Sequence, residues 1–106
     1  MFQKPPKPIR DKKHLQFVAG LPCCVCGTEP VQAHHLLRSG EHGMGRKSGD
    51  NWAIPLCFDD HRWLHMDGDE TAWLSDRGID GKSLAKALYA ANMDTEAALN
   101  AIVGIK

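Results

Sequence analysis

Val31-Gln32-Ala33-His34-His35, later Asp50-Asn51-Trp52-Ala53-Ile54-Pro55-Leu56, then Cys57-Phe58-Asp59-Asp60-His61-Arg62-Trp63-Leu64-His65: the order of these segments decides the fold. Val31-Gln32-Ala33 reads as a short strand leading into the histidine pair. Asn51 to Leu56 reads as the second strand of a β-hairpin, and Cys57 opens a helix running to about Met66. Neighbouring strand residues point to opposite faces, so His34 and His35 can do two jobs, one binding a metal and the other facing a substrate. His61 and His65 stand four apart and share a helix face, the spacing that lets two imidazoles grip one ion. Leu64 and Trp63 are expected to pack inward on either side of them, and Asp67-Gly68-Asp69 to end the helix.

Moving outward, the stretch from Cys23 to His65 holds all four cysteines and five of the six histidines. Thiol, imidazole and carboxylate groups are the usual ligands of zinc and related ions. Cys23-Cys24-Val25-Cys26-Gly27 is a Cys-x-x-Cys turn followed by glycine, which points two sulfurs at one ion; Cys24 reads as a small buried side chain. A redox Cys-x-x-Cys would need a surrounding βαβ pattern, and none is visible. Residues 38–50 form a loop containing Gly40, Gly43, Gly45 and Gly49 with Arg38, Arg46 and Lys47. It has no Walker pattern. Such a basic loop beside a metal suits contact with a phosphate backbone, the alternative being an ordinary solvated loop; His42 is expected to be exposed there.

Residues 1–10 carry three of the prolines and several cations, and read as a flexible basic arm, either a solvated tail or a phosphate contact. Asp11 can cap a helix through about Ala19, with Leu15 and Val18 inward and Gly20 and Pro22 as stops. Beyond the histidines come a short helix from Glu70 to Arg77 stopped by Gly78 and a helix from Lys82 to Ala91. A last helix follows, capped by Asp94 or Thr95, with Leu99, Ile102 and Val103 inward. This C-terminal third has neither Cys nor His and reads as support for the core or as a partner-docking surface.

At 106 residues, residues 11–106 read as a single domain. Lysine and arginine balance aspartate and glutamate, but residues 1–47 carry eight basic against three acidic side chains and residues 48–106 five against ten. A polyanion would therefore meet the N-terminal half. No segment resembles a signal peptide, and no run approaches the ~18 apolar residues of a membrane span. Four cysteines without an export signal read as metal ligands rather than disulfides, which points to a reducing cytoplasm.

Strand, His-His, loop, Asn, strand and a helix bearing His-x-x-x-His is the pattern of the HNH, or ββα-metal, endonucleases, which residues 21–66 resemble. The Cys-x-x-Cys-Gly start, Val31-Gln32-Ala33-His34-His35, and Pro55-Leu56-Cys57 with His61 and His65 are similar to phage and prophage HNH proteins. Among these are recombination-enhancement-function nucleases, with the similarity continuing through Gly68-Asp69-Glu70 and Trp73. The resemblance implies an α+β fold: a small ββα-metal core with a zinc knuckle, followed by C-terminal helices over about 69–104. It implies metal-dependent hydrolysis of DNA phosphodiester bonds. His34, His61 and His65 would hold a catalytic Mg2+, Mn2+ or Zn2+, His35 would be the general base, and Asn51 the middle motif residue, with Asp50 a stand-in. Where the family has a second Cys-x-x-Cys pair, this chain has Cys57 and Asp60. Structural zinc would then take Cys23, Cys26, Cys57 and Asp60, with Cys24, His42 or water as alternatives to Asp60. DNA is the implied partner, contacted by Arg38, Arg46 and Lys47, with a recombinase–DNA filament as a further one. The competing readings are a catalytically weak zinc module that binds DNA or a recombination protein, and a purely structural zinc domain of a larger assembly.

Overall fold

The computed structural model describes residues 9–36, 49–91 and 93–105. The basic residues Arg38, Arg46 and Lys47, together with His42 and most of the N-terminal arm, lie outside the described residues. The fold is α+β. Strands β1 (Val31–His35) and β2 (Ala53–Cys57) pair antiparallel, with His34 opposite Ile54 and His35 opposite Ala53. Around them lie α1 (Lys12–Ala19), α2 (Phe58–Asp67), α3 (Glu70–Ser75), α4 (Gly81–Ala90) and α5 (Thr95–Ile105).

Every residue of β2 is buried, because α1, α2 and α4 all pack against it. A strand covered on both faces carries an apolar run rather than an alternation, which is what Ala53-Ile54-Pro55-Leu56 supplies. Pro55 is tolerated because a two-stranded sheet leaves each strand one free edge; its carbonyl on that side accepts the Cys24 N–H at 3.0 Å. Val18, Ile54, Leu56, Leu64, Leu84 and Leu88 form the centre of the core.

The helices start where capping chemistry allows. Asp11, Asp69 and Asp80 each accept a backbone N–H three residues on, from His14, Ala72 and Ser83. Asp94 does the same for Ala97 at the start of α5. Helix α2 ends at Gly68, whose φ of +83° is a left-handed conformation that costs glycine little. Among the described residues, no helix is long and apolar enough to cross a membrane.

Three expectations need correction. The second strand begins at Ala53, not Asn51, because Asp50–Trp52 wind into a single 3-10 turn. The backbone of Asp50 is committed elsewhere: its N–H donates to the Ile9 carbonyl at 2.8 Å, while its carboxylate accepts the Asp11 N–H at 2.7 Å. Trp63 points outward, 58% exposed against 1% for Leu64. The inward stripe of α2 is already taken by Asp60, His61 and Leu64, at i, i+1 and i+4, and Trp63 lies about 100° round the helix from Leu64, on the side away from His61. On α5, Ala98 and Ile102 are buried while Leu99 and Val103 are exposed, because the side chain of alanine lets the helix approach α4 closely along the Ala98–Ile102 stripe.

Candidate metal centres

Two groups of potential ligand side chains form along the hairpin and α2, one at the start of the helix and one further along it. Cys23, Cys26, Cys57 and Asp60 place one donor atom each within 4.8 Å of one another. The Cys23–Cys26 turn is closed by the Gly27 N–H donating to the Cys23 carbonyl at 2.9 Å, and the Val25 N–H points at Cys23 Sγ at 3.4 Å. Cys57 is the N-cap of α2, its sulfur accepting the Asp60 N–H at 3.5 Å. The positive end of a helix dipole favours anions there, so Cys57 and Asp60 sit where negative charge is best tolerated.

The distances test the group against zinc. Cys26 and Cys57 sulfurs are 3.6 Å apart, and the Cys23 and Cys57 thiols each reach Asp60 Oδ2 at 3.2 Å. Around a tetrahedral zinc, sulfur–sulfur and sulfur–oxygen separations are ~3.8 and ~3.5 Å, so the set fits with small adjustments. The same 3.6 Å is far from the ~2.05 Å of a disulfide, and all four cysteines are free thiols. Burial pushes the Cys23 thiol up to about 11 and raises Cys57 as well, while the Thr28 hydroxyl at 2.6 Å pulls Cys26 down. Burial works against the Asp60 carboxylate, yet hydrogen bonds from the three thiols bring it below its ordinary value. Three thiols thus surround one carboxylate, a donor set that could hold a metal ion. Cys24 is buried and stands outside the group.

His34, His61 and His65 form the second group. His34 comes from β1, and the other two come from successive turns of α2. Ring centroids lie 5.0 Å (His34–His61), 5.8 Å (His34–His65) and 4.5 Å (His61–His65) apart. The Nε2 atoms of His61 and His65 face each other at 3.1 Å. Two imidazole nitrogens on one tetrahedral ion stand ~3.3 Å apart, so this pair is nearly set for one cation. Burial, then the neighbouring His34 and His65, lower the pKa of His61. Its ring is thereby kept neutral, as a ligand must be.

His35 occupies the opposite face of β1 from buried His34 and is 38% exposed. Its Nε2 meets Asp50 Oδ1 at 2.9 Å. Asp50 is buried and gathers three partners: His35, the Asp11 N–H, and the guanidinium of Arg10 at 3.6 Å. Burial opposes the charge on Asp50, but these partners together hold its pKa below the ordinary value. The carboxylate that meets His35 is thus that of Asp50. Asn51 follows in the same turn, its Oδ1 buried with no partner among the described residues. Gly49 makes room for this arrangement: a Cβ there would lie 2.9 Å from the Ile9 nitrogen.

Two participants went unmarked by sequence spacing. Arg10, read only as the end of a basic arm, lies on Asp50 with its side chain 58% exposed. Glu70 reaches His34 Nε2 at 2.5 Å and is buried with it. In sequence Glu70 looks like an acidic residue of a helix's first turn, 36 positions from His34, and no local periodicity links the two.

No solved structure matches the chain. It is 40% identical over 68 residues to "Uncharacterized protein YdfU" of Escherichia coli (strain K12), an alignment covering 62% of this chain and 20% of that protein. The chain therefore spans about a fifth of the length of the curated relative it matches. Residues 1–93, almost the whole folded region up to α5, match the family described as "Protein of unknown function (DUF968)", and the chain belongs to that family.

Proposed function

We propose that this chain is a metal-dependent HNH endonuclease that hydrolyses DNA phosphodiester bonds, its ββα-metal core formed by β1, β2 and α2. One observation carries the reading. Three imidazoles converge, while the imidazole next to one of them, on the opposite strand face, is half-exposed and held by a carboxylate. Structural ligands alone would not need His35 oriented in this way.

In this reading His34, His61 and His65 hold a divalent cation, which when bound would offset charge on the phosphoryl and leaving oxygens. His35 takes the proton of the attacking water. Asp50 accepts the Nε2–H of His35, which leaves the Nδ1 lone pair as the base and stabilises the imidazolium that results. His35 and the Asp11 N–H, with a smaller contribution from Arg10, favour the ionised Asp50, and Arg10 adds positive charge where a phosphate would approach. An all-imidazole set suits a transition ion such as Zn2+ or Mn2+ better than Mg2+, which prefers oxygen ligands. Cys23, Cys26, Cys57 and Asp60 hold zinc as a staple between the N-terminal turn and the start of α2.

The test is nicking of supercoiled plasmid with Mg2+, Mn2+ or Zn2+ by wild type, His35→Ala and His61→Ala. Wild type should cut, and both variants should cut far more slowly, His35→Ala by ~10²–10⁴-fold. His35→Ala should retain the second metal, and His61→Ala should lose it. A wild-type protein that loads both sites yet cuts nothing would leave a zinc-binding module in place of the enzyme.

A further inference from the structure

We propose that Glu70 is the positioning carboxylate of the three-histidine centre, acting through His34. This rests on the reading that His34, His61 and His65 bind a divalent cation. Glu70 Oε1 lies 2.5 Å from His34 Nε2, and both side chains are buried. The donor atoms that converge are those of His34, His61 and His65; the carboxylate of Glu70 is not among them. Glu70 therefore stands behind His34 rather than beside the cation. With Nε2–H donated to Glu70, His34 is held in the tautomer whose Nδ1 lone pair is free for the ion, and its ring is fixed in orientation.

The placement argues against a merely local role. The cap of α3 is already supplied by Asp69, which accepts the Ala72 N–H at 3.1 Å. A first-turn glutamate serves a helix dipole well from solvent, whereas burying its charge is costly unless a partner receives it. Glu70 is buried against a histidine on a different element. Helix α3, which follows the hairpin and α2 in sequence, is thereby part of the metal centre instead of an external prop.

The experiment is a cobalt(II) titration of the full chain with its cysteine site already filled with zinc, followed by d–d absorption. It is run on wild type, Glu70→Gln and Glu70→Ala, with the tautomer of His34 read from its ring nitrogen chemical shifts. Loss of an outer-sphere partner weakens metal affinity ~10–100-fold, so cobalt should bind about 10-fold more weakly to Glu70→Gln and up to about 100-fold more weakly to Glu70→Ala. The Nε2–H form of His34 should dominate in wild type and give way to a mixture in Glu70→Ala. Circular dichroism reports folding; if Glu70→Ala does not fold, Glu70→Gln decides by its affinity alone. Wild-type cobalt affinity in the folded variants, with the His34 tautomer unchanged, overturns the role of Glu70 and leaves the cation site standing. Failure of wild type to bind cobalt outside the cysteine site overturns the cation site itself and the role of Glu70 with it.

Discussion

His35 and Asp50 show how one hydrogen bond turns a common side chain into a directed one. An imidazole free to rotate is a weak base in an arbitrary direction, but one bonded through Nε2 at 2.9 Å presents Nδ1 to a single place. His35→Ala should lower cleavage by ~10²–10⁴-fold while leaving both metals bound, measured by plasmid nicking beside metal analysis. Asp50→Asn should lower cleavage by ~10²-fold through misorientation of the base. Asp50 also makes a pH prediction. Its folded pKa lies below the ordinary carboxylate value of about 3.9. Its contribution to stability is complete above that value and is lost as pH falls through the lowered folded pKa. Melting temperatures of wild type and Asp50→Asn should therefore differ most near neutral pH and converge in strong acid.

Helix α2 carries four of the seven side chains in the two candidate metal groups, counting its cap Cys57, at the expense of its apolar face. Cys57 caps it, Asp60 and His61 occupy the inward stripe, and Leu64 alone is fully buried. Its apolar hold on the core thus centres on one leucine. Leu64→Ala should destabilise the chain by about 2–5 kcal/mol, the range for a buried leucine. Trp63→Ala should change stability by no more than ~0.5 kcal/mol, as for an exposed site. Thermal melts of the two variants check the orientation of the helix directly, and equal losses would contradict it. The turn into α3 depends on Gly68 at φ +83°, where nothing lies within 4 Å of an added Cβ. Gly68→Ala should then cost about 1–2 kcal/mol from backbone conformation alone.

At the scale of the whole molecule, the two ligand groups divide the work of a small core. Cys23, Cys26, Cys57 and Asp60 tie the segment before β1 to the start of α2, while the histidines tie β1 to the middle of α2. Because burial lifts the Cys23 thiol to about 11 and raises Cys57, loading zinc must expel protons. Zinc affinity should therefore fall steadily as pH is lowered from 8 to 6, with one or more protons released per zinc, as calorimetry in two buffers would measure. Removal of zinc with a strong chelator should lower the melting temperature of wild type. The same treatment should change Cys57→Ser far less, since that variant has already lost the staple.

The hairpin, the helix starts at Asp11 and Asp94, the His61–His65 face and the Cys23–Cys26 turn were legible because they rest on local rules: capping aspartates, histidines four apart on one helix, cysteines three apart in a turn. That His34 joins the one group, and Cys57 and Asp60 the other, was implied by the family resemblance. The outward turn of Trp63, and of Leu99 and Val103, was not legible, since apolar residues on either side of a stripe satisfy the same periodicity until a partner helix selects one. Nor was the pairing of Asp50 with His35, which depends on residues 9–11 folding back to claim the Asp50 backbone. Glu70 is the furthest case. Sequence, with the family resemblance, marked which side chains could hold metal; only the packing of α3 against α2 brought a glutamate 36 residues away to His34. Spacing encodes contacts within an element, whereas contacts between elements arise from burial shared across the entire core.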